Sequence, residues 1–433
     1  MATEYGYKLD PYRQLRKARG VDAKRQRVRN SHTPSHADQN NVIIVQFPNL
    51  GRDDVIVPGS SKLSFKVNLT SATGGNQDVN RTIVNNLGRA IVSKIDVKLE
   101  GESVFTLEDA DVFTCYQDLW KTTKERKNAA YQGIQSEAVR KIRIDAGNKG
   151  SAAKDVAIEK QYGNKFYIPL DFEMLSSHNP FFQYELKDRL SYELTFNRYG
   201  KVVVSTDTTA SYGVSEIHLE FETVKSSEIA TSIRNQYNGK SVVMYDKIIR
   251  RIMETKNKSD TIWNFSLAPQ ANSMKGILIL FIDSSAGGGG ESYARDSEKF
   301  YNPKIKKVSV TLDGVPNQLY SSGLLPHHHF EEIQKYFAEG KYRTIPHVTK
   351  ELELADMELA DYLTEKYGLW LDMRSTDDPE LHGSGRKLEG DHKSIHIEIE
   401  KEAETAGELT AYVYSIQDAQ LNIENGKLMK IVS

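Results

Sequence analysis

The sequence predicts an all-β fold of two tandem eight-stranded jelly-roll sandwiches, with a few helices in the connecting loops. Three observations carry that prediction. A strand occurs twice, as KIDVKLEG over 94–101 and KVSVTLDG over 307–314. In each copy apolar residues (Ile95, Val97, Leu99; Val308, Val310, Leu312) alternate with polar ones, the period of a half-buried strand, and a glycine closes the run. The same offset continues upstream without a gap, laying Leu63–Gly75 (LSFKVNLTSATGG) on Gly276–Gly288 (GILILFIDSSAGG). A third landmark follows in each half, IPLD over 168–171 and LWLD over 369–372. Repeated strands in repeated order mark two copies of one β-rich unit.

Length agrees, because 433 residues accommodate two β-sandwiches of about 200 residues each. A hydrophobic fraction of 39% is enough for two packed cores. Charge is unevenly spread. Residues 1–30 carry nine basic and three acidic side chains, whereas the whole chain has a net charge of −2. The one cysteine, Cys115, excludes an intramolecular disulfide framework, and its neighbours Phe113 and Tyr116 mark it as a small buried side chain. The N-terminus lacks the apolar core of a signal peptide, and the longest apolar run, Ile277–Ile282, has the length of a strand rather than of a membrane span. Production in a reducing compartment without secretion is expected.

Taken in order, residues 1–40 lack periodicity and are predicted to form a basic flexible arm. Its Arg13, Arg16, Lys17, Arg19, Lys24, Arg25, Arg27 and Arg29 are the candidate polyanion-binding residues. The first jelly roll is expected over 41–225. It opens with the β-branched run 42–47 and continues with 63–69, where Leu63, Phe65, Val67 and Leu69 share one face and Ser64, Lys66 and Asn68 the other. Residues 107–127 have helical spacing at Val112, Tyr116, Leu119 and Trp120, with acids early and bases late. The small, polar stretch 145–163 reads as a long exposed loop. Strands at 166–172, 190–196 and 217–221 complete the roll.

A helical linker is expected over 226–239, from Ile229, Ile233 and Tyr237 at fourfold spacing. The second jelly roll then occupies 240–433. Its strand 277–282 is apolar on both faces, so both faces need cover. Ile277, Ile279 and Phe281 stand where the first copy has Ser64, Lys66 and Asn68, and are therefore the candidates for inter-roll or inter-subunit packing. Helices are expected at 330–338 and 350–367, and strands at 369–372, 395–399, 409–414 and 421–423. Helices do not alternate with strands, which disfavours a parallel α/β sheet.

The sequence offers no catalytic signature and no metal or cofactor site. His327, His328 and His329 are consecutive, and neither strand nor helix geometry brings three adjacent side chains onto one metal, so they read as a turn or interface cluster. The run Gly287–Gly290 lacks the Lys-Ser/Thr of a phosphate loop and reads as a loop tip. Glu220 with Glu222 and Glu398 with Glu400 read as solvent-facing charges on alternating strands. Two readings compete with a structural role. A carbohydrate-binding or glycoside-cleaving tandem β-sandwich would stack sugars on some of the 22 Tyr, 15 Phe and 3 Trp. A nucleic-acid-binding adaptor would rest on the basic arm alone.

The wording of the strands adds a resemblance. FYIPLDF (166–172), NPFF (179–182) and LSYELTF (190–196) are similar to the stretch that closes the first roll in double jelly-roll major capsid proteins of the tectivirus and adenovirus lineage. They most resemble the Polinton/Maverick, adintovirus and virophage branch, and the likeness covers 41–433. It implies a non-enzymatic virion protein without cofactors. Three copies would form a pseudo-hexameric capsomer of an icosahedral shell, with the arm on the inner face against DNA or an internal membrane. Its partners would be two further copies, neighbouring capsomers, and penton or minor capsid proteins. Synthesis would take place in the host cytoplasm or nucleus.

Overall fold

The computed structural model describes residues 23–32, 34–70, 82–144, 152–172, 190–204, 211–237, 240–283, 296–338, 357–374, 385–388, 394–424 and 427–432. In chain order the first half contains β1 (Lys24–Ser31), β2 (His36–Asp38), β3 (Val42–Gln46), β4 (Asp54–Ile56), β5 (Lys62–Thr70), β6 (Thr82–Ile83), β7 (Val92–Leu99), β8 (Glu102–Glu108), β9 (Lys165–Pro169), β10 (Ser191–Phe196), β11 (Val203–Val204) and β12 (Ser211–Lys225). The second half contains β13 (Lys240–Asn257), β14 (Ile262–Leu267), β15 (Ala271–Asp283), β16 (Ile305–Leu312), β17 (Val315–Pro316), β18 (Leu369–Asp372), β19 (Arg386–Leu388), β20 (Ile395–Lys401), β21 (Glu408–Glu424) and β22 (Lys427–Val432).

Each half is a sandwich of two antiparallel sheets with the same topology. The first pairs β1-β12-β5-β9 in one sheet and β3-β10-β7-β8 in the other; the second pairs β13-β21-β15-β18 and β14-β20-β16-β17. Numbered by rank within its half, each set of eight runs 1-8-3-6 and 2-7-4-5. This order is the jelly roll: its paired strands come from the two ends of the unit and fold inward. Ring contacts join the sheets. Phe47 packs against Phe221 at 5.4 Å, and Trp263 against Phe281 at 5.6 Å.

The duplicated strand explains itself locally. Both copies end in a two-residue hairpin turn whose residues have positive φ, Glu100 (54°) with Gly101 (78°) and Asp313 (50°) with Gly314 (78°). Two such residues define the turn whose twist matches the flanking strands, which is why an acid-glycine pair ends each run.

The connections hold α1 (Leu87–Ala90), α2 (Ala110–Leu119), α3 (Thr123–Asn128), α4 (Glu137–Ile144), α5 (Ala153–Gln161), α6 (Tyr199–Val202), α7 (Ser227–Tyr237), α8 (Pro326–Phe337) and α9 (Leu359–Thr364). Thr122 and Glu125 form a reciprocal capping box that starts α3. Helix α7 buries Ile229, Ala230 and Ile233 against Val55.

Several expectations need correction. The basic segment is not an arm throughout 1–40: Lys24–Ser31 is the first strand of the first roll, paired residue by residue with His218–Lys225. The first roll therefore begins before residue 41. Its pairing partner lies almost 200 residues away, so no local periodicity marks it. The stretch 145–163 contains α5, whose first described flanking residue is Ala152. Residues 409–414 and 421–423 belong to one strand, β21, and β14 was not anticipated. Of the helix expected over 350–367, residues 350–356 lie outside the described residues, as do Gly287–Gly290 and NPFF.

Close packing fixes one glycine. A Cβ on Gly276 would lie 2.3 Å from Trp370 Cζ2 and 2.7 Å from the Leu371 carbonyl oxygen. Gly276→Ala is expected to lower stability by about 1–3 kcal/mol, because a buried ring and a paired backbone both have to shift. An unchanged denaturation midpoint would contradict this packing.

Candidate functional site

With no catalytic signature in the sequence, the informative surfaces are those that join rolls. Within the chain, α2 leaves the end of β8 and buries its aromatic side in the second roll. Tyr116 meets Phe300 edge-on at 5.0 Å, Phe113 meets Tyr414 at 5.3 Å, and Trp120 stacks on Phe337 at 6.0 Å. Helix α8 supplies Phe330 and Phe337, and its Tyr336 stacks on Trp370 of β18 at 4.4 Å. The cores of the two rolls consequently merge into one buried cluster.

Polar contacts frame this seam. Tyr245 Oη donates to the Val104 carbonyl at 2.6 Å, and Tyr414 Oη to the Asp109 carbonyl at 2.9 Å. Arg250 pairs with Glu108 and Asp109. Arg126 pairs with Glu298 at 2.9 Å, and Asn85 Nδ2 also donates to that carboxylate at 2.8 Å. Burial raises the Glu298 pKa, and Arg126 opposes that shift.

A buried charge cluster anchors α2 from within the first roll. Asp118 accepts from Asn86 Nδ2 at 3.0 Å, Arg89 Nε at 3.2 Å and Gln132 Nε2 at 2.5 Å, and Lys121 lies 2.8 Å away. Arg89 makes a forked pair with Asp171 at 2.7 and 2.8 Å. Burial acts to raise the Asp118 pKa, but Arg89 and Lys121 outweigh it and hold the carboxyl well below its ordinary value. Asp171 closes the IPLD landmark, so that repeat carries a half-buried ion pair to Arg89 in the first roll.

Ile277, Ile279 and Phe281 are fully buried, but inside the second sandwich. Phe281 packs on Trp263 of the facing sheet. Their sequence neighbours face the seam instead. Leu278 pairs in register with Trp370 and Tyr414, and a Cβ on Gly368 would touch both Tyr116 Oη and Leu280 Cδ2. The correction is one of phase. An inward-facing Phe65 aligns by offset with seam-facing Leu278, so the sequence offset is out of phase with the strand's faces in the structure, and an odd shift in register exchanges those faces. Tyr116 and Trp120 were visible as a helical stripe; nothing in the stripe says that another domain receives it.

The basic residues divide. Arg13, Arg16, Lys17 and Arg19 lie outside the described residues. Lys24, Arg25, Arg27 and Arg29 lie on β1, where Arg25 and Arg27 pair with Glu222 and Arg29 with Glu220 at 3.1 Å. With Lys62, Lys66 and Glu216 they build a charged ladder over the outer face of the first roll's β1-β12-β5-β9 sheet. A cleft of about 600 Å³ opens between this face and α3, lined by Arg25, Arg27, Lys62, Lys121, Glu125 and Tyr167 among others.

The histidines begin α8. His327 and His328 are exposed with rings 3.9 Å apart, whereas His329 is buried with Nδ1 2.6 Å from Tyr367 Oη. Burial pushes the His329 pKa down to about 4. A base whose pKa falls on folding stabilises the native state fully above its unfolded value near 6.5, and that contribution is lost as pH drops toward the folded value. Wild-type stability should therefore fall between about pH 6.5 and 4, and His329→Gln should lack that component in denaturation curves taken across this range. Among the described residues, no group of three or more His, Cys, Asp or Glu could hold a metal ion, and no helix is long and apolar enough to cross a membrane. All three tryptophans are buried, so none offers a stacking platform for sugars.

No protein-family model matches the sequence, and no curated protein does so at the sequence level. Solved structures do match along almost the whole chain. The Faustovirus major capsid protein is similar with a TM-score of 0.59 and 8% identity, over 93% of this chain and 91% of that one. A chain of the Sputnik virophage is similar with a TM-score of 0.57 and 10% identity, over 94% and 88%. The mavirus major capsid protein follows with 0.53 and 11%, over 93% and 89%. Two jelly rolls of identical topology, fused through one continuous core and matched end to end by these structures, give the chain the double jelly-roll fold of viral major capsid proteins.

Proposed function

We propose that this chain is a major capsid protein, three copies of which form a pseudo-hexameric capsomer of an icosahedral shell. The observation that carries the reading is the asymmetry of the roll–roll seam. One side of the first roll meets a different side of the second, a head-to-tail contact that closes into a ring when repeated at a suitable rotation. The fold likeness to viral major capsid proteins supports the same role. Neighbouring capsomers, and penton or minor capsid proteins, would be the further partners. The protein would be made in the host cytoplasm or nucleus and reside in the virion.

Arg13, Arg16, Lys17 and Arg19 would contact packaged DNA or an internal membrane from the inner face, through charge contacts that weaken with salt. Deleting residues 1–22, which spares β1, should leave the oligomer intact and lower the salt concentration that elutes it from heparin. The shell reading itself is tested by solution mass and electron microscopy. A stable species of three times the 49.0 kDa chain mass, or hexagonal arrays, is expected. A monomer at all concentrations would overturn it.

A further inference from the structure

We infer that Lys258 and Asp283 of the second roll condense into an intramolecular amide, a covalent staple between the ends of β13 and β15. Lys258 directly follows β13, and Asp283 closes β15. Between these two strands runs β21, whose Leu409 pairs with Lys256 on one side and with Asp283 on the other. The Lys258 side chain crosses the entry of β21 and places Nζ 2.6 Å from Asp283 Oδ2. Gly407 leaves room for the crossing, because a Cβ there would lie 3.2 Å from Lys258 Cδ. The two side chains are only 11% and 24% exposed, so nucleophile and acceptor are held together with little water between them.

Three neighbours complete the site. The Tyr301 ring lies against Lys258, its centroid 4.5 Å from Nζ, and the Tyr301 hydroxyl donates to Glu404 Oε2. The other oxygen, Glu404 Oε1, is buried without a hydrogen bond, 3.8 Å from Lys401 Nζ. Lys401 in turn donates to the carbonyls of Lys258 at 2.7 Å, Asp260 at 3.1 Å and Glu402, which fixes the backbone that carries the nucleophile. Lys275, also paired with aspartate, differs: it lies between Asp246 and Asp418, so losing its charge would leave a carboxylate unpaired. In the Lys258–Asp283 pair the ammonium passes one proton to the carboxylate, and two poorly solvated charges become two neutral groups. The amine lone pair attacks Cγ. Glu404 takes a second proton from the nitrogen, with the Tyr301 hydroxyl as relay, and returns one to the departing hydroxyl. The C–O bond breaks, water leaves, and the third proton stays on the amide nitrogen. Ammonium and carboxylate thus become an amide and one water, with no oxidant or reductant.

Mass spectrometry of the full purified chain tests this. Beyond any removal of Met1, the wild-type protein should be lighter than its sequence by one water, and a digest should yield a branched peptide that joins the Lys258 and Asp283 segments. Lys258→Arg keeps the charge but cannot form the amide, and it should have the full sequence mass, as should Asp283→Ala. Glu404→Gln keeps an acceptor for Tyr301 but takes no proton, so it should stay at full mass, whereas Glu404→Asp should recover part of the loss. A wild-type chain at full mass would overturn the staple. So would a lost water that maps elsewhere, for example to a cyclic imide at Asp313–Gly314. A branched peptide from Glu404→Gln would overturn the role of Glu404. The chemistry needs only the folded second roll, so each of these results leaves the shell reading where it stands.

Discussion

Trp120→Ala is expected to cost about 3–5 kcal/mol of unfolding free energy, the range for removing a large aromatic from a packed core. Trp120 is 1% exposed and touches Tyr116 on its own helix and Phe330 and Phe337 on the second roll, so the cavity would open at the seam itself. Two readouts follow. The denaturation midpoint should fall, and the single calorimetric transition expected of a merged core should separate toward two as the rolls lose their coupling. Ile44→Ala is the control. Ile44 is 50% exposed on β3, and its replacement should change stability by no more than about 0.5 kcal/mol. Equal losses in the two variants would mean that the seam does not join the rolls energetically.

Asp118→Ala should be comparably severe, about 3–5 kcal/mol, because it removes one partner of a buried pair. Arg89 would keep Asp171, but Asn86, Gln132 and Lys121 would all lose their shared acceptor. The pH dependence identifies the cause. Folding lowers the Asp118 pKa, so its ionised form stabilises the native state above the ordinary aspartate value near 4, and that contribution fades as pH falls toward the folded value. Asp118→Asn keeps the shape and removes the charge. Its stability loss should therefore be large at pH 7 and shrink on acidification below about 4. A loss that does not vary with pH would point to packing rather than charge.

Much of the fold was legible locally. The alternation in Ile95–Val97–Leu99 and Val308–Val310–Leu312 needs only the geometry of a strand, and an acid-glycine pair needs only the turn that uses it. The doubly apolar run 277–282 also declared that both faces were covered. What it could not declare was the identity of each cover. Ile277, Ile279 and Phe281 and their neighbours Leu278 and Leu280 are equally hydrophobic, and a shift of one residue exchanges sandwich core for seam. The basic residues Lys24–Arg29 posed the converse problem: exposed and charged, they have the composition of an arm, and they form a strand because Glu220 and Glu222, far along the chain, lie opposite them.

The sequence by itself therefore determined that the protein is a duplicated β unit, how its repeated hairpin turns, and that one strand is buried on both sides. Those are properties of residues a few positions apart. The tertiary structure alone decided which apolar face meets the other roll, and that the basic segment is the first strand of a sheet. These depend on contacts between residues up to about 200 positions apart, for which local periodicity carries no signal.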